Sequence, residues 1–141
     1  MSAAIDSGSV ANVLHPADVP DGVQLMPNTN QAHFVGANNS RIENFGTCKT
    51  AVKGAGAVDA ECDWTCAEVA RPLHSVSKLA GPVESPRHDV LFNASKCVVV
   101  PPGIVDRILQ HVKPLMQYER RGGLYVAEVE LSGFQRPGVQ A

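Results

Sequence analysis

The sequence predicts one mainly β domain with one or two short helices. Stretches of alternating or β-branched residues recur along the chain, turns containing Gly and Asn separate them, and helical periodicity is confined to two short segments. The chain has 141 residues, of which 44% are apolar and 18% are charged. This composition suits a single packed core and is not that of a disordered protein.

The strand signals are short and regularly spaced. In chain order, the predicted strands cover residues 3–5, 32–35, 40–43, 47–53, 64–69, 90–92, 97–100 and 124–131. The second and third flank Gly36-Ala37-Asn38-Asn39, whose residues tolerate the left-handed conformations of a tight turn, so residues 32–43 are predicted to form a β-hairpin. The alternation from Leu124 to Leu131 is the clearest strand signal in the chain.

Two segments have apolar residues at helical spacing. The first covers residues 73–80 and stops at Gly81-Pro82, and the second covers residues 104–112 and follows Pro101-Pro102-Gly103. Both are therefore predicted to be short helices. Residues 133–141 are predicted to be a flexible tail.

Charge and hydropathy exclude two classes of partner. The net charge is −2 with a pI near 6.2, and no basic stripe suggests nucleic-acid binding. The longest apolar runs, such as Cys97–Pro102, are far too short to cross a bilayer, and residues 1–14 have no signal-peptide pattern. We therefore predict a soluble intracellular protein with neither a nucleic-acid nor a membrane partner.

The four cysteines, at positions 48, 62, 66 and 97, raise the question of zinc or disulfides. Cys62 and Cys66 are close in sequence, but the residues after Cys62 alternate like a strand, on which the two sulfurs would be roughly 13 Å apart. That separation excludes a shared metal and a disulfide unless Cys62 lies on a turn. The sequence predicts reduced, mostly buried thiols and no metal site.

The tripeptide Asp6-Ser7-Gly8 is the strongest candidate for chemistry. An apolar run, Ala3-Ala4-Ile5, leads straight into it, and the glycine frees the backbone to turn sharply and expose the carboxylate at a strand end. Asp, Ser and Gly are all turn formers, so an ordinary turn is the alternative explanation.

The order of several segments resembles that of retropepsins, the aspartic proteases that retroelements encode. Ile5-Asp6-Ser7-Gly8-Ser9 is similar to their active-site turn, and Phe34-Val35-Gly36 with Ile42-Glu43-Asn44-Phe45-Gly46 is similar to their flap and the strand that leaves it. Residues 69–79 resemble the segment that copia-type retrotransposon proteases carry before and into their helix. Residues 90–92 and 122–126 resemble downstream parts of such polyproteins. The specificity of the resemblance lies in the order of these segments.

This resemblance implies a role for each matching residue. Asp6 would be the catalytic aspartate, Ser7 would reach across a dimer axis to the partner's backbone, and Gly8 would lie behind the carboxylate. The residues of the flap, which closes over the substrate, would be Phe34, Val35, Gly36, Ala37 and Asn38. Leu73 and Ser75 would lie beneath the catalytic loop, where retropepsins have two apolar residues and a glycine.

The implied fold is a retropepsin-like closed β-barrel. We expect residues 1–93 to form the protease core, residues 94–132 to form a C-terminal extension packed on it or following it, and residues 133–141 to form the tail. One such aspartate per chain implies a homodimer that hydrolyses a polypeptide, the polyprotein of its own retroelement, without metal or cofactor. The implied location is the cytoplasm or the inside of a retroelement particle.

Two departures from the family pattern affect these expectations. His74 occupies a position where the family has an apolar residue, which indicates a solvent-facing or hydrogen-bonded histidine, or decay of the site. Only five residues precede Asp6, where retropepsins have a further strand that helps to build the dimer sheet. We therefore expect a weak dimer unless residues 90–92 or 124–131 supply the lost pairing.

Three alternatives remain open from the sequence. In the first, the chain is an inactive protease-like domain, either a retroelement remnant or a dimeric binding module. In the second, it is a small β-domain with an incidental Asp-Ser-Gly. In the third, His74 and Ser75 or Ser77 form a Ser–His nucleophile. This last is the weakest, because adjacent residues of a helix point to different faces and no orienting acid lies nearby.

Overall fold

The computed structural model describes residues 1–27, 34–35, 41–53 and 59–133, and of residues 34–35, 41–42 and 59–60 it describes only the backbone. Within these ranges the strands are β1 (Ala4–Asp6), β2 (Val13–Leu14), β3 (Phe34–Val35), β4 (Arg41–Ile42), β5 (Asn44–Lys53), β6 (Asp59–Ala67), β7 (Leu73–Ser75), β8 (Asp89–Phe92), β9 (Cys97–Val100), β10 (Glu119–Arg121) and β11 (Leu124–Val126). The helices are α1 (Val76–Ala80) and α2 (Ile104–Leu109), and a 3₁₀ turn covers Pro16–Asp18.

The central sheet has the strand order β1-β7-β2-β6-β5, so β7 lies between the two strands that flank Asp6-Ser7-Gly8. β7 runs parallel to β1 and antiparallel to β2, while β2 runs parallel to β6. β5 and β6 form a long antiparallel hairpin whose register extends from Asn44 opposite Ala67 to Lys53 opposite Asp59. The chain on either side of the Asp6 turn is therefore paired within one sheet.

The core lies on one face of the β5–β6 hairpin, because alternate side chains of a strand point the same way. Its buried residues are Leu14, Cys48, Cys62, Trp64 and Cys66. The indole of Trp64 donates a hydrogen bond of 2.7 Å to Thr50 Oγ1, so its polar atom is satisfied. On the opposite face, Lys49 Nζ lies 3.1 Å from Glu61 Oε1, an exposed ion pair that stabilises the hairpin little.

Residues 73–75 form a strand, so the prediction of a helix starting at Leu73 is wrong. Leu73 is paired with Ala4 on β1 and with Val13 on β2. These sheet hydrogen bonds override the local helical spacing, as tertiary contacts commonly do. The helix starts only at Val76, where Ser75 is the N-cap, and it stops at Gly81 as predicted.

The strand signal of residues 124–131 predicts a longer strand than is found. The observed strand, β11, ends at Val126. Its partner β10 was not predicted, since Glu119-Arg120-Arg121 is charged throughout and carries no strand signal. The predicted strands at 90–92 and 97–100 are confirmed as β8 and β9, which pair antiparallel.

Burial divides the chain at Gly81. The buried residues of the described ranges lie between Asn12 and Gly81, and no described residue from Pro82 to Gly133 is buried. β8–β9 and β10–β11 are separate two-stranded sheets in this second stretch, and α2 has no buried residue. The packed core thus belongs to the first part of the chain.

The fold is mainly β with short helices, which confirms the coarse prediction from the sequence. The closed barrel implied by the resemblance is not found in the described ranges, where β1 and β5 are the two outer strands of the central sheet and are not paired with each other. Among the described residues, no helix is both long and apolar enough to cross a membrane.

Candidate functional site

Asp6 is the last residue of β1, and the turn that follows holds its carboxylate. The backbone N–H of Gly8 donates a hydrogen bond of 2.8 Å to Asp6 Oδ1. A Cβ at Gly8 would lie 3.3 Å from that oxygen, closer than ordinary contact, so glycine fits this position best. Asp6 is partly exposed while Ser7 and Gly8 are exposed. The carboxylate is thus held by a backbone amide and remains accessible to a ligand or a second copy.

β7 supports this turn from within the sheet. Asp6 is paired with Ser75 in the register of β1 and β7, and Ser75 is fully buried. The hydroxyl of Ser75 donates a hydrogen bond of 2.6 Å to the carbonyl oxygen of Ser9 and lies 3.0 Å from Ser77 Oγ. Leu73, at the other end of β7, is half-buried. The structure therefore ties the end of the Asp6 turn to β7 and to the start of α1.

Asn12 joins β6 and β7 through its side chain, and this role was not predicted from the sequence. It is buried, and its Oδ1 accepts a hydrogen bond of 2.8 Å from the N–H of Ser75. Its Nδ2 donates to the carbonyl oxygen of Asp63 and to Cys62 Sγ, both at 3.2 Å. A single asparagine between a turn and a proline-rich loop has no pattern that would reveal this role.

Two of the predicted flap residues form β3, which pairs antiparallel with β4. Phe34 lies opposite Ile42, and Val35 lies opposite Arg41, so the strand pairing of the predicted hairpin is present. Gly36, Ala37 and Asn38 lie outside the described residues. That these residues close over a substrate remains a prediction.

His74 is half-buried against Trp64 and is not solvent-facing. The two ring centroids are 4.9 Å apart with planes inclined at 50°. His74 Nδ1 is buried and has no hydrogen-bond partner among the described residues. Burial lowers the pKa of His74, because the imidazolium form loses hydration. A neutral aromatic ring thus occupies the place where the family has an apolar side chain.

The Ser–His alternative has no support in this geometry. His74 and Ser75 are adjacent on a strand, so their side chains point to opposite faces of the sheet. The hydroxyl of Ser75 already donates to Ser9, and Ser77 Oγ contacts Ser75 rather than His74 Nδ1. A serine nucleophile needs a base within hydrogen-bonding distance, and His74 Nδ1 makes no such contact.

Three of the four thiols, those of Cys48, Cys62 and Cys66, belong to the core, whereas Cys97 on β9 is only partly buried. Cys66 lies on the predicted strand, and β6 also includes Cys62, so Cys62 is not on a turn; Cys66 Sγ is 3.8 Å from Cys48 Sγ. Burial raises the pKa of Cys66 to about 12 and that of Cys62 to about 11, so neither is a thiolate at neutral pH. Within the described ranges, no group of three or more His, Cys, Asp or Glu side chains is arranged to hold a metal ion.

A cavity of about 690 Å³ lies between the segment that follows the Asp6 turn and the β5–β6 hairpin. Its walls include Val10, Asn12, Met26 and Trp64, together with Lys78 of α1. The volume is within the range of small-ligand and side-chain pockets. The cavity adjoins the Asp6 turn along the chain but does not include Asp6 in its walls.

No protein-family model, no curated protein and no solved structure matches this chain. A function is therefore proposed from the chemistry of the Asp6 turn and from the residues that hold this turn in place.

Proposed function

We propose that the chain is one subunit of a homodimeric aspartic endopeptidase with a retropepsin-like fold, which processes a retroelement polyprotein. The observation that carries the proposal is the setting of Asp6 at the end of β1, with Gly8 N–H on one carboxylate oxygen and β7 inserted between the flanking strands. This setting supports the proposal because a catalytic carboxylate has to be held rigidly while one oxygen stays accessible.

One Asp6 is insufficient for peptide hydrolysis, because the reaction needs a base and a proton donor together. In a two-fold dimer, two Asp6 carboxyl groups about 3 Å apart cannot both ionise, so they share one proton and titrate as a coupled pair. The ionised member removes a proton from a water held between them, while the protonated member polarises the scissile carbonyl. The resulting gem-diol breaks its C–N bond as a proton passes to the leaving amine, and no covalent intermediate forms.

The other predicted site residues have supporting roles in this proposal. Ser7 bonds the partner's backbone across the two-fold axis, and Gly8 supplies the amide that orients the carboxylate. The flap residues close over an extended polypeptide, and Leu73 and Ser75 support the turn. The dimer needs neither metal nor cofactor and acts in the cytoplasm or within a retroelement particle.

The proposal is tested by Asp6→Asn, which removes the ionisable proton carrier but keeps an oxygen to accept from Gly8 N–H. We expect peptide cleavage between about pH 4 and 7 to fall by about 10²- to 10⁴-fold, the effect of removing a general acid–base group. Cleavage of a peptide library with and without pepstatin measures it. Asp21→Asn is the matched control, since it makes the same charge change at an exposed loop residue and should leave activity unchanged.

Fluorescence of Trp64, the single tryptophan of the chain, shows whether each variant stays folded. Full activity in folded Asp6→Asn would place the chemistry elsewhere. A wild-type protein that cleaves nothing would support an inactive protease-like domain instead.

A further inference from the structure

The β8–β9 hairpin is the most regular structure in the part of the chain that lacks buried residues. Its strands pair Asp89 with Val100 through Phe92 with Cys97, and the loop closes with a hydrogen bond of 2.9 Å from Asn93 N–H to the carbonyl oxygen of Lys96. An isolated two-stranded hairpin is marginally stable in water, and its apolar side chains need a further surface to cover them.

The hairpin is attached to the elements that support the Asp6 turn. Arg87, just before β8, donates its backbone N–H to the carbonyl oxygen of Ala80 at 2.8 Å. His88 Nδ1 lies 2.8 Å from the carbonyl oxygen of Leu79. Both contacts are with α1, whose N-cap is Ser75. A partner that pairs with this hairpin is therefore connected to the turn through one short helix.

The direction of the backbone amides on β9 follows from the loop hydrogen bond. In an antiparallel pair, hydrogen-bonded and non-hydrogen-bonded residue pairs alternate. Since Asn93 and Lys96 are hydrogen-bonded, the next pair along, Phe92 with Cys97, is not. By the same alternation, Cys97 and Val99 direct their N–H and C=O groups away from β8, to the outer edge of the hairpin.

This outer edge lacks the features that normally prevent pairing with another chain. Exposed edge strands are commonly protected by charged side chains, proline or bulges. β5 carries Lys49 and Lys53, β10 is charged at all its positions, and β8 begins with Asp89. β9 has the sequence Cys97-Val98-Val99-Val100, with neither charge nor proline, and Val98 and Val99 are 41% and 45% exposed.

We propose that two copies of the chain pair antiparallel through the outer edges of their β9 strands, with Val98 opposite Val98 at the two-fold axis. In this register, Cys97 of each copy forms a hydrogen-bonded pair with Val99 of the other, which uses the outward amides of both strands. Among the described residues, no strand occupies this edge. The inference rests on the proposed function, because one Asp6 per copy makes a second copy necessary for the site.

The register is tested by intermolecular cross-linking. Residues opposite each other in a non-hydrogen-bonded antiparallel pair have Cα atoms about 4.5 Å apart, which a disulfide spans. We therefore expect Val98→Cys, in a Cys97→Ser background, to form a covalent dimer with oxidised glutathione. The two thiols lose two protons and two electrons, and one glutathione disulfide becomes two glutathione thiols.

Val100→Cys in the same background is the matched control, because the proposed register puts the two copies of this position far apart. Much more cross-linked dimer from Val98→Cys than from Val100→Cys supports the proposal, and equal yields overturn it. The same comparison in the presence of dithiothreitol shows that the product is a disulfide.

A second variant, Val99→Pro, removes one outward N–H and leaves the hydrogen bonds between β8 and β9 intact, since proline is tolerated at that side of an edge strand. We expect the dimer dissociation constant from sedimentation equilibrium to rise at least about tenfold, as expected when ladder hydrogen bonds are lost at the dimer interface. An unchanged dissociation constant overturns the β9 interface.

The two proposals fail in distinguishable ways. If Val99→Pro dimerises like the wild type while cleavage still depends on Asp6, the interface is wrong and the protease proposal stands. If both β9 tests succeed but the wild-type dimer cleaves no peptide, the interface stands and the protease proposal is wrong.

Discussion

The two parts of the chain on either side of Gly81 differ in how they are stabilised. Residues 12–81 contain the buried side chains of the described structure, and the core includes Trp64 and Cys66. Residues 82–133 contain comparable regular structure but no buried side chain, and Leu115, Val129 and Leu131 are largely exposed. In this molecule, hydrogen-bonded strands therefore form both where apolar side chains are buried and where they are not.

This difference indicates how the two parts contribute. The first part supports the Asp6 turn, because Asn12 and Ser75 of β7 form a buried hydrogen-bonded network under it. The β9 edge, which has neither charge nor proline, lies in the second part, and such an edge is a template for pairing with another chain. The second part is accordingly the region from which we expect contacts with another chain.

A small set of contacts joins the two parts. The guanidinium of Arg120 on β10 donates to the carbonyl oxygens of Ser77, within α1, and of Gly81, the C-cap of α1. A Cβ at Gly123 would lie 3.2 Å from Val10 Cγ1, so the β10–β11 turn approaches the segment after the Asp6 turn closely. Movement of the β10–β11 hairpin would therefore change the contacts that it makes with α1 and Val10.

Of the substitutions that distinguish the two parts, Trp64→Ala is expected to have the largest effect on the free energy of unfolding. Removing a buried tryptophan and its hydrogen bond to Thr50 should lower the free energy of unfolding by about 3 to 5 kcal/mol. The control Leu115→Ala, at a side chain 101% exposed, should change it by less than about 0.5 kcal/mol. Urea titrations followed by far-ultraviolet circular dichroism measure both. Equal losses would show that the core extends into the second part.

A smaller effect is expected from Arg120→Ala, which removes contacts between the two parts. Loss of two hydrogen bonds from a charged group should destabilise the attachment of β10–β11 by about 1.5 to 3 kcal/mol while leaving the core intact. Hydrogen exchange of the amides of β10 and β11 measures this local opening. Arg121→Ala is the matched control, since among the described residues the Arg121 guanidinium pairs only with exposed Glu128, and its loss should have almost no effect. Faster exchange in β5 and β6 as well would contradict a local role.

The smallest effect is a pH dependence that only the first part should show. Burial lowers the pKa of His74 below its ordinary value near 6.5, so in the window between the two values the unfolded chain binds more protons. Stability should therefore rise with pH through that window and be lost as pH falls. His74→Leu should flatten the dependence, whereas His111→Gln, at an exposed histidine of the second part, should leave it unchanged. Urea midpoints between about pH 5 and 7.5 test this, and an unchanged slope in His74→Leu would assign the dependence to another group.

Much of the local structure could be predicted from the sequence. The alternation around Trp64, the β-branched runs of β8 and β9, and the Asp6-Ser7-Gly8 turn after an apolar run each depend on residues close together in the chain. The prediction failed where pairing partners are far apart. Leu73–Ser75 has helical spacing but becomes a strand because β1 and β2, about 60 to 70 residues earlier, supply its hydrogen bonds.

The sequence by itself determined the mainly β character, the acidic turn at the end of β1 and the stop of α1 at Gly81, because propensity, alternation and turn chemistry act over a few residues. Only the tertiary structure decided what lies under that turn. Asn12 bonds Ser75 and Asp63, and Ser75 bonds Ser9, although these partners are as many as 66 positions apart. A buried polar group must find a partner wherever the fold brings one, and that requirement depends on the assembled sheet rather than on neighbouring residues.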